Sequence, residues 1–200
     1  MSFRLGLTGS IGMGKSTTAA MFAEEGIPVW DADATVHRLY VPGQPAAQAI
    51  GRLFPTAIGP DGSVNRPRLR AMILADPTAL DRLNAAIHPL VADDRAHFVA
   101  AHHDAPIILL DIPLLFETGA DQTCDAVAVV SAPPEVQRER VMARGITEAD
   151  FNMILSRQTP DADKRARADY IITTTSLDTA RAAVKDVLAD IRRRIALTDA

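Results

Sequence analysis

The sequence predicts an α/β protein built on a parallel five-stranded sheet flanked by helices. Two observations carry that prediction. Short, near-continuous apolar runs alternate with helical patterns over most of the chain, and a glycine-rich loop joins the first run to the first helix. Strands covered on both faces by helices read as unbroken apolar runs, and strand–helix alternation favours parallel connections.

Phe3–Thr8 reads as the first strand, followed by the loop Gly9 to Gly14. Lys15–Glu25 reads as a helix stopped by Gly26, since glycine takes the left-handed conformation that ends helices. Ile27–Trp30 is the second strand and leads into Asp31-Ala32-Asp33. Ile107–Asp111, Ala126–Ser131 and Tyr170–Thr173 are the third to fifth, with helices expected over Pro134–Arg144, Thr147–Arg157 and Leu177–Ile195.

About 75 residues separate the second and third runs, where a complete crossover unit takes about 30. Helical patterns fall near Thr35–Tyr40, Ala46–Leu53, Pro67–Leu74 and Thr78–His102, broken by Pro42-Gly43, Gly59-Pro60-Asp61-Gly62 and Pro89. The expected organisation is a core of residues 1–33 and 104–200, with a helical insertion over 34–103 beside the loop. Such an insertion suits either a second substrate or structural elaboration.

Composition narrows the function classes. The 200 residues carry a formal net charge of −4 and only 4% aromatics. That argues against a global attraction to nucleic acid or anionic lipid and against stacking platforms for single strands. The single cysteine, Cys124, excludes a disulfide framework within the chain and suits a reducing compartment. The start of the chain lacks the charged and apolar regions of a secretory signal, and no apolar run reaches the ~20 residues of a membrane span. A cytoplasmic location is the expectation.

Gly9-Ser10-Ile11-Gly12-Met13-Gly14-Lys15-Ser16 fits G-x-x-x-x-G-K-[ST] at every fixed position. This loop wraps an anion with backbone N–H groups, and side chains at the glycines would obstruct that path. Gly9, Ile11, Gly12, Met13, Gly14, Lys15, Ser16 and Thr17 are therefore the candidate ATP-binding residues. Lys15 would reach the β- and γ-phosphates, the Ser16 hydroxyl would ligate Mg²⁺, and the following helix adds its positive dipole end. The guanine-reading N-K-x-D pattern of GTPases is missing.

Carboxylates and arginines supply further candidates. Asp31 and Asp33 follow the second strand, where one can take a proton from an attacking hydroxyl and either can cap the next helix. Asp111 ends the third strand, a position suited to holding Mg²⁺ or to forming a turn before Pro113. Arg140 and Arg144, four apart in a basic run before Gly145, would lie on one helix face. They suit a lid over about 138–157 that neutralises charge on a transferred phosphoryl group, or a solvated face. His88, before Pro89, is open to a functional or a structural reading.

These residues together resemble the dephospho-coenzyme A kinase family of P-loop kinases. The loop Leu7–Thr17, Asp31-Ala32-Asp33, Asp61-Gly62, Arg66, Arg68 and Leu69 match its pattern in order. So do Leu83–Pro89, Asp111-Ile112-Pro113-Leu114-Leu115-Phe116-Glu117, Gln158 and Lys164…Ala168-Asp169-Tyr170-Ile171-Ile172. The resemblance implies transfer of the ATP γ-phosphoryl group to the ribose 3′-hydroxyl of dephospho-coenzyme A. It implies Asp33 as the base on that hydroxyl, the insertion carrying His88 as the holder of dephospho-coenzyme A, Arg140 and Arg144 in the lid, and Mg²⁺ between Ser16 and the phosphates. With the residue readings above, the expected catalytic group is Asp33, Lys15 and Arg140, Arg144 is a further expected ATP contact, and Ser16 and Asp111 are the expected Mg²⁺ donors. ATP and dephospho-coenzyme A are the expected partners of a monomer or small homo-oligomer, with neither nucleic acid nor membrane. The chain departs from the family at Thr174-Thr175-Ser176, where Asn-x-Gly is common, and at Ile154, where arginine is common.

Overall fold

A computed structural model describes residues 2–76 and 78–198. The chain divides into two compact units, Met1–Asp31 with His102–Ala200, and Ala32–Ala101.

The first unit holds five parallel strands in the order β2-β3-β1-β4-β5. They are β1 (Phe3–Thr8), β2 (Val29–Asp31), β3 (Ile107–Asp111), β4 (Ala126–Ser131) and β5 (Tyr170–Thr173). Every residue of β3 and β4 is buried, as the apolar runs require. Strand starts are tied by carboxylates. Asp125 accepts from the Arg4 backbone N–H at 2.7 Å, and Asp169 accepts from that of Val127 at 2.8 Å. Helix α1 (Lys15–Glu24) and the final helix α9 (Leu177–Thr198) cover the sheet. Phe22 of α1 and Val184, Leu188 and Ile191 of α9 pack with Leu5, Leu7, Leu109, Ala128 and Ile172. Spacings of three and four place the α9 residues on one stripe.

Because all five strands run parallel, their carboxyl ends lie along one edge of the sheet. That edge carries the glycine-rich loop after β1, Asp31 of β2, Asp111 of β3, Ser131 of β4 and Thr174 after β5. Pairing sets Asp31 opposite Asp111, and Asp111 opposite Leu7.

The second unit is helical: α2 (Ala32–Leu39), α3 (Pro45–Leu53), α4 (Arg66–Ala75) and α5 (Ala79–Ala101). Its core is Leu39, Ala46, Ile50, Phe54, Leu69, Leu83 and Ile87. Among the described residues its extended pairing is one bridge, Ile58 to Val64.

Some elements differ from expectation. Pro89 does not break the last helix of this unit; α5 runs through it. A proline removes one intrahelical bond, and Leu83 and Ile87 in the turns before it are anchored in the core. β2 is shifted toward Asp31. The first unit also contains α8 (Asp161–Ala166), which periodicity in so short a stretch did not reveal. The two helices between β4 and α8 are α6 (Pro134–Met142) and α7 (Glu148–Leu155). α6 ends before Arg144, as Gly145 at φ 77° accompanies a bond from its N–H to the Met142 carbonyl.

Candidate active site

The loop's shape follows from its glycines. Gly12 and Gly14 have φ of 78° and 90°, in the region that side chains rarely adopt. A Cβ on Gly12 would also lie 2.6 Å from Val141 Cγ2 of α6. Gly14 caps α1, whose first turn carries Lys15, Ser16 and Thr17, the last two exposed.

Lys15 is the loop's charged member. Its ammonium lies 2.6 Å from Asp111 Oδ1, with the lysine side chain 14% exposed and the aspartate 3%. Lys15, Ser16, Asp111 and the loop backbone thus come from adjoining strand ends of one unit. A hydroxyl and carboxylates are hard oxygen donors, the type that Mg²⁺ takes when phosphates and water complete its shell.

Three side chains outside the loop grip its backbone. Gln137 Nε2 on α6 donates to the Ile11 carbonyl at 2.7 Å, and Gln158 Oε1 accepts from the Ile11 N–H at 3.1 Å. The partners decide the amide orientations, since a carbonyl only accepts and an N–H only donates. The third is Thr174, whose Oγ1 donates to the Met13 carbonyl at 2.7 Å.

Arg140 reaches the same place from α6. Its Nη1 donates to Thr174 Oγ1 at 3.1 Å and its Nη2 to the Thr174 carbonyl at 2.5 Å. Arg144 is exposed beyond the end of α6, so it does not share a helix face with Arg140. Arg138 instead links α6 to α7, donating to both oxygens of Glu148 at 3.1 and 2.6 Å.

Behind the loop lies a second ion pair. Lys164 of α8, fully buried, sits 3.0 Å from Glu117 Oε1, which also accepts from the Thr159 N–H at 2.7 Å. Burial alone would raise the Glu117 pKa. The Thr159 N–H and the Lys164 ammonium outweigh it and hold the carboxyl below its ordinary value. Thr159 follows Gln158, so this pair fixes the turn that presents Gln158 to the loop.

The remaining candidates lie in the second unit. Asp33 stands exposed in the first turn of α2, two residues beyond Asp31. His88 is exposed on α5. Gln137 carried no signal in the sequence. Glu117, Lys164 and Gln158 stood within matched segments, but only packing reveals their joint task.

The profile of the dephospho-CoA kinase family (CoaE) matches residues 3–179. The chain belongs to the dephospho-CoA kinase family. It is 59% identical over 191 residues to the dephospho-CoA kinase of Cereibacter sphaeroides, covering 95% of this chain and 96% of that one. With the Ruegeria pomeroyi dephospho-CoA kinase it shares 55% over 193 residues, covering 96% and 97%. Among solved structures, TT1252 from Thermus thermophilus superposes with a TM-score of 0.83 at 35% identity, covering 94% of this chain and 97% of that one. A shikimate kinase from Acinetobacter baumannii, at 18% identity, TM-score 0.52 and coverage of 97% and 95%, shares the fold alone. Membership in the dephospho-CoA kinase family makes the chain an ATP-dependent phosphotransferase of coenzyme A biosynthesis.

Proposed function

We propose that transfer takes place at the carboxyl edge of the sheet, with Gly9, Ile11, Gly12, Met13, Gly14, Lys15, Ser16 and Thr17 holding ATP. The observation that supports this most is the Lys15 ammonium, fixed at the loop's end by Asp111. Asp33 takes the proton of the ribose 3′-hydroxyl of dephospho-CoA. The freed oxygen bonds to the γ-phosphorus. The bond from that phosphorus to the β–γ bridging oxygen breaks, and ADP leaves with its electron pair. Lys15 and Arg140 offset the charge that develops on the transferred group, and Arg144 contributes to holding ATP. Ser16 and Asp111 would hold Mg²⁺, which when bound would supply positive charge to offset that of the phosphates.

The helical segment 34–103 holds dephospho-CoA through residues that include His88. Residues 138–157 serve as the lid. The enzyme works in the cytoplasm as a monomer or small homo-oligomer, with ATP and dephospho-CoA as its partners and without nucleic acid or membrane.

ADP release from Mg-ATP tests the reading, with dephospho-CoA, adenosine, AMP and shikimate compared as acceptors. Release driven by dephospho-CoA alone, matched by coenzyme A formed, is expected. Asp33→Asn should lower kcat by about 10²–10⁴-fold while ATP binding persists. Near-normal turnover in that variant would remove Asp33 from its role.

A further inference from the structure

We propose that Thr174 is a positioning residue for ATP, setting the loop peptide between Met13 and Gly14 and the Arg140 guanidinium at once. The proposal rests on the reading that the phosphates of ATP occupy this loop. Thr174 is buried, and its own N–H is fixed on the Ser131 carbonyl at 2.9 Å. Its hydroxyl donates to Met13 O and accepts from Arg140 Nη1. A hydroxyl can give and take at one atom; a cationic guanidinium only gives.

Peptide geometry supplies the consequence. The C=O and N–H of one trans peptide point in opposite directions. Holding the Met13 carbonyl on Thr174 therefore aims the Gly14 N–H away from Thr174. Gln137 does the same to the next such unit, since holding the Ile11 carbonyl aims the Gly12 N–H the other way. A loop that binds phosphate by its amides needs its carbonyls turned outward, and Thr174 turns one of them. The fit is close: a Cβ on Gly14 would lie 3.3 Å from Thr174 Oγ1. This chain thus commits the Thr174 side chain to the loop.

Thr174→Val keeps the shape and removes the hydroxyl, and Thr174→Ser keeps the hydroxyl. With the full chain, ATP titration, both KM values and the melting temperature would be measured. The valine variant loses both bonds of the hydroxyl and should bind ATP about five- to hundredfold more weakly, the loss expected for two hydrogen bonds. Its KM for dephospho-CoA should stay within about twofold, and serine should restore ATP affinity. Equal ATP affinity in wild type and valine, or equal impairment in valine and serine, overturns the role. Failure of the wild type to bind ATP would strike the loop reading itself. Should the valine variant not fold, amide exchange on the wild type decides the matter. ATP should slow exchange at the Gly14 N–H, and an unchanged rate there overturns the proposal.

Discussion

Two lysine–carboxylate pairs lie six residues apart on the segment that leaves β3. Asp111 pairs with Lys15 and Glu117 with Lys164. Their chemistry is alike and their burial is not. Lys15 keeps 14% of its side chain exposed, whereas Lys164 keeps none. An ammonium still in touch with water can exchange its carboxylate for an incoming phosphate at modest cost. One sealed from water has no such exchange, because an unpaired buried charge is costly. On the proposed reading the first pair holds the Lys15 charge until a phosphate takes the place of Asp111. The second is a fixed strut for the turn at Gln158 and Thr159. Burial, rather than residue type, sets the two lysines apart.

Of changes made within the two pairs, the largest expected effect breaks the first pair's chemistry and spares its charge. Lys15→Arg can still pair with Asp111, but a planar guanidinium does not replace a compact ammonium on the phosphates. Turnover should fall by about 10²–10³-fold while the melting temperature moves by no more than a few degrees. Steady-state rates and thermal unfolding of the same preparation test both halves.

The second pair should answer in stability. Glu117→Gln leaves Lys164 buried without its counter-charge, at a cost of about 3–5 kcal/mol. For a chain of this length that is a drop of roughly 10 °C in melting temperature. Adding Lys164→Met to the same chain should recover much of it, because an apolar replacement needs no partner. The pH dependence has a definite sign. The Glu117 carboxyl is held below its ordinary value, so its contribution is complete above the ordinary glutamate range near 4.3. It fades as pH falls through the lower folded value. The gap in melting temperature between wild type and Glu117→Gln should narrow on acidification below that range. A constant gap would mean that the carboxylate charge is not what stabilises the pair.

The contrast also explains what could be read from the sequence. The strands at Phe3–Thr8, Ile107–Asp111, Ala126–Ser131 and Tyr170–Thr173 occur where the apolar runs stand, and in β3 and β4 burial on both faces leaves little room for polar residues. The loop was legible because its glycines and Lys15 meet a backbone requirement that is local in sequence. Glu117 and Lys164 satisfy each other across 47 positions, and Gln137 meets Ile11 across 126. No spacing rule reports such pairs. Pro89 misled for the opposite reason, since a local preference was overruled by the core packing of Leu83 and Ile87.

The smallest expected effect joins the two pairs. The Glu117–Lys164 strut acts on the loop through Gln158, whose Oε1 holds the Ile11 N–H. Gln158→Ala removes that single bond and touches neither ion pair. One hydrogen bond of this kind contributes about 0.5–1.5 kcal/mol, so the KM for ATP should rise about two- to tenfold, with the melting temperature nearly unchanged. Gln158→Glu sharpens the reading, because a carboxylate can still accept from Ile11 but adds a negative charge beside the phosphates. Its KM for ATP should exceed that of the alanine variant at low salt and approach it as salt screens the charge. If alanine and glutamate behaved alike at every ionic strength, Gln158 would lie outside the field of the bound nucleotide. The strut would then serve the fold alone.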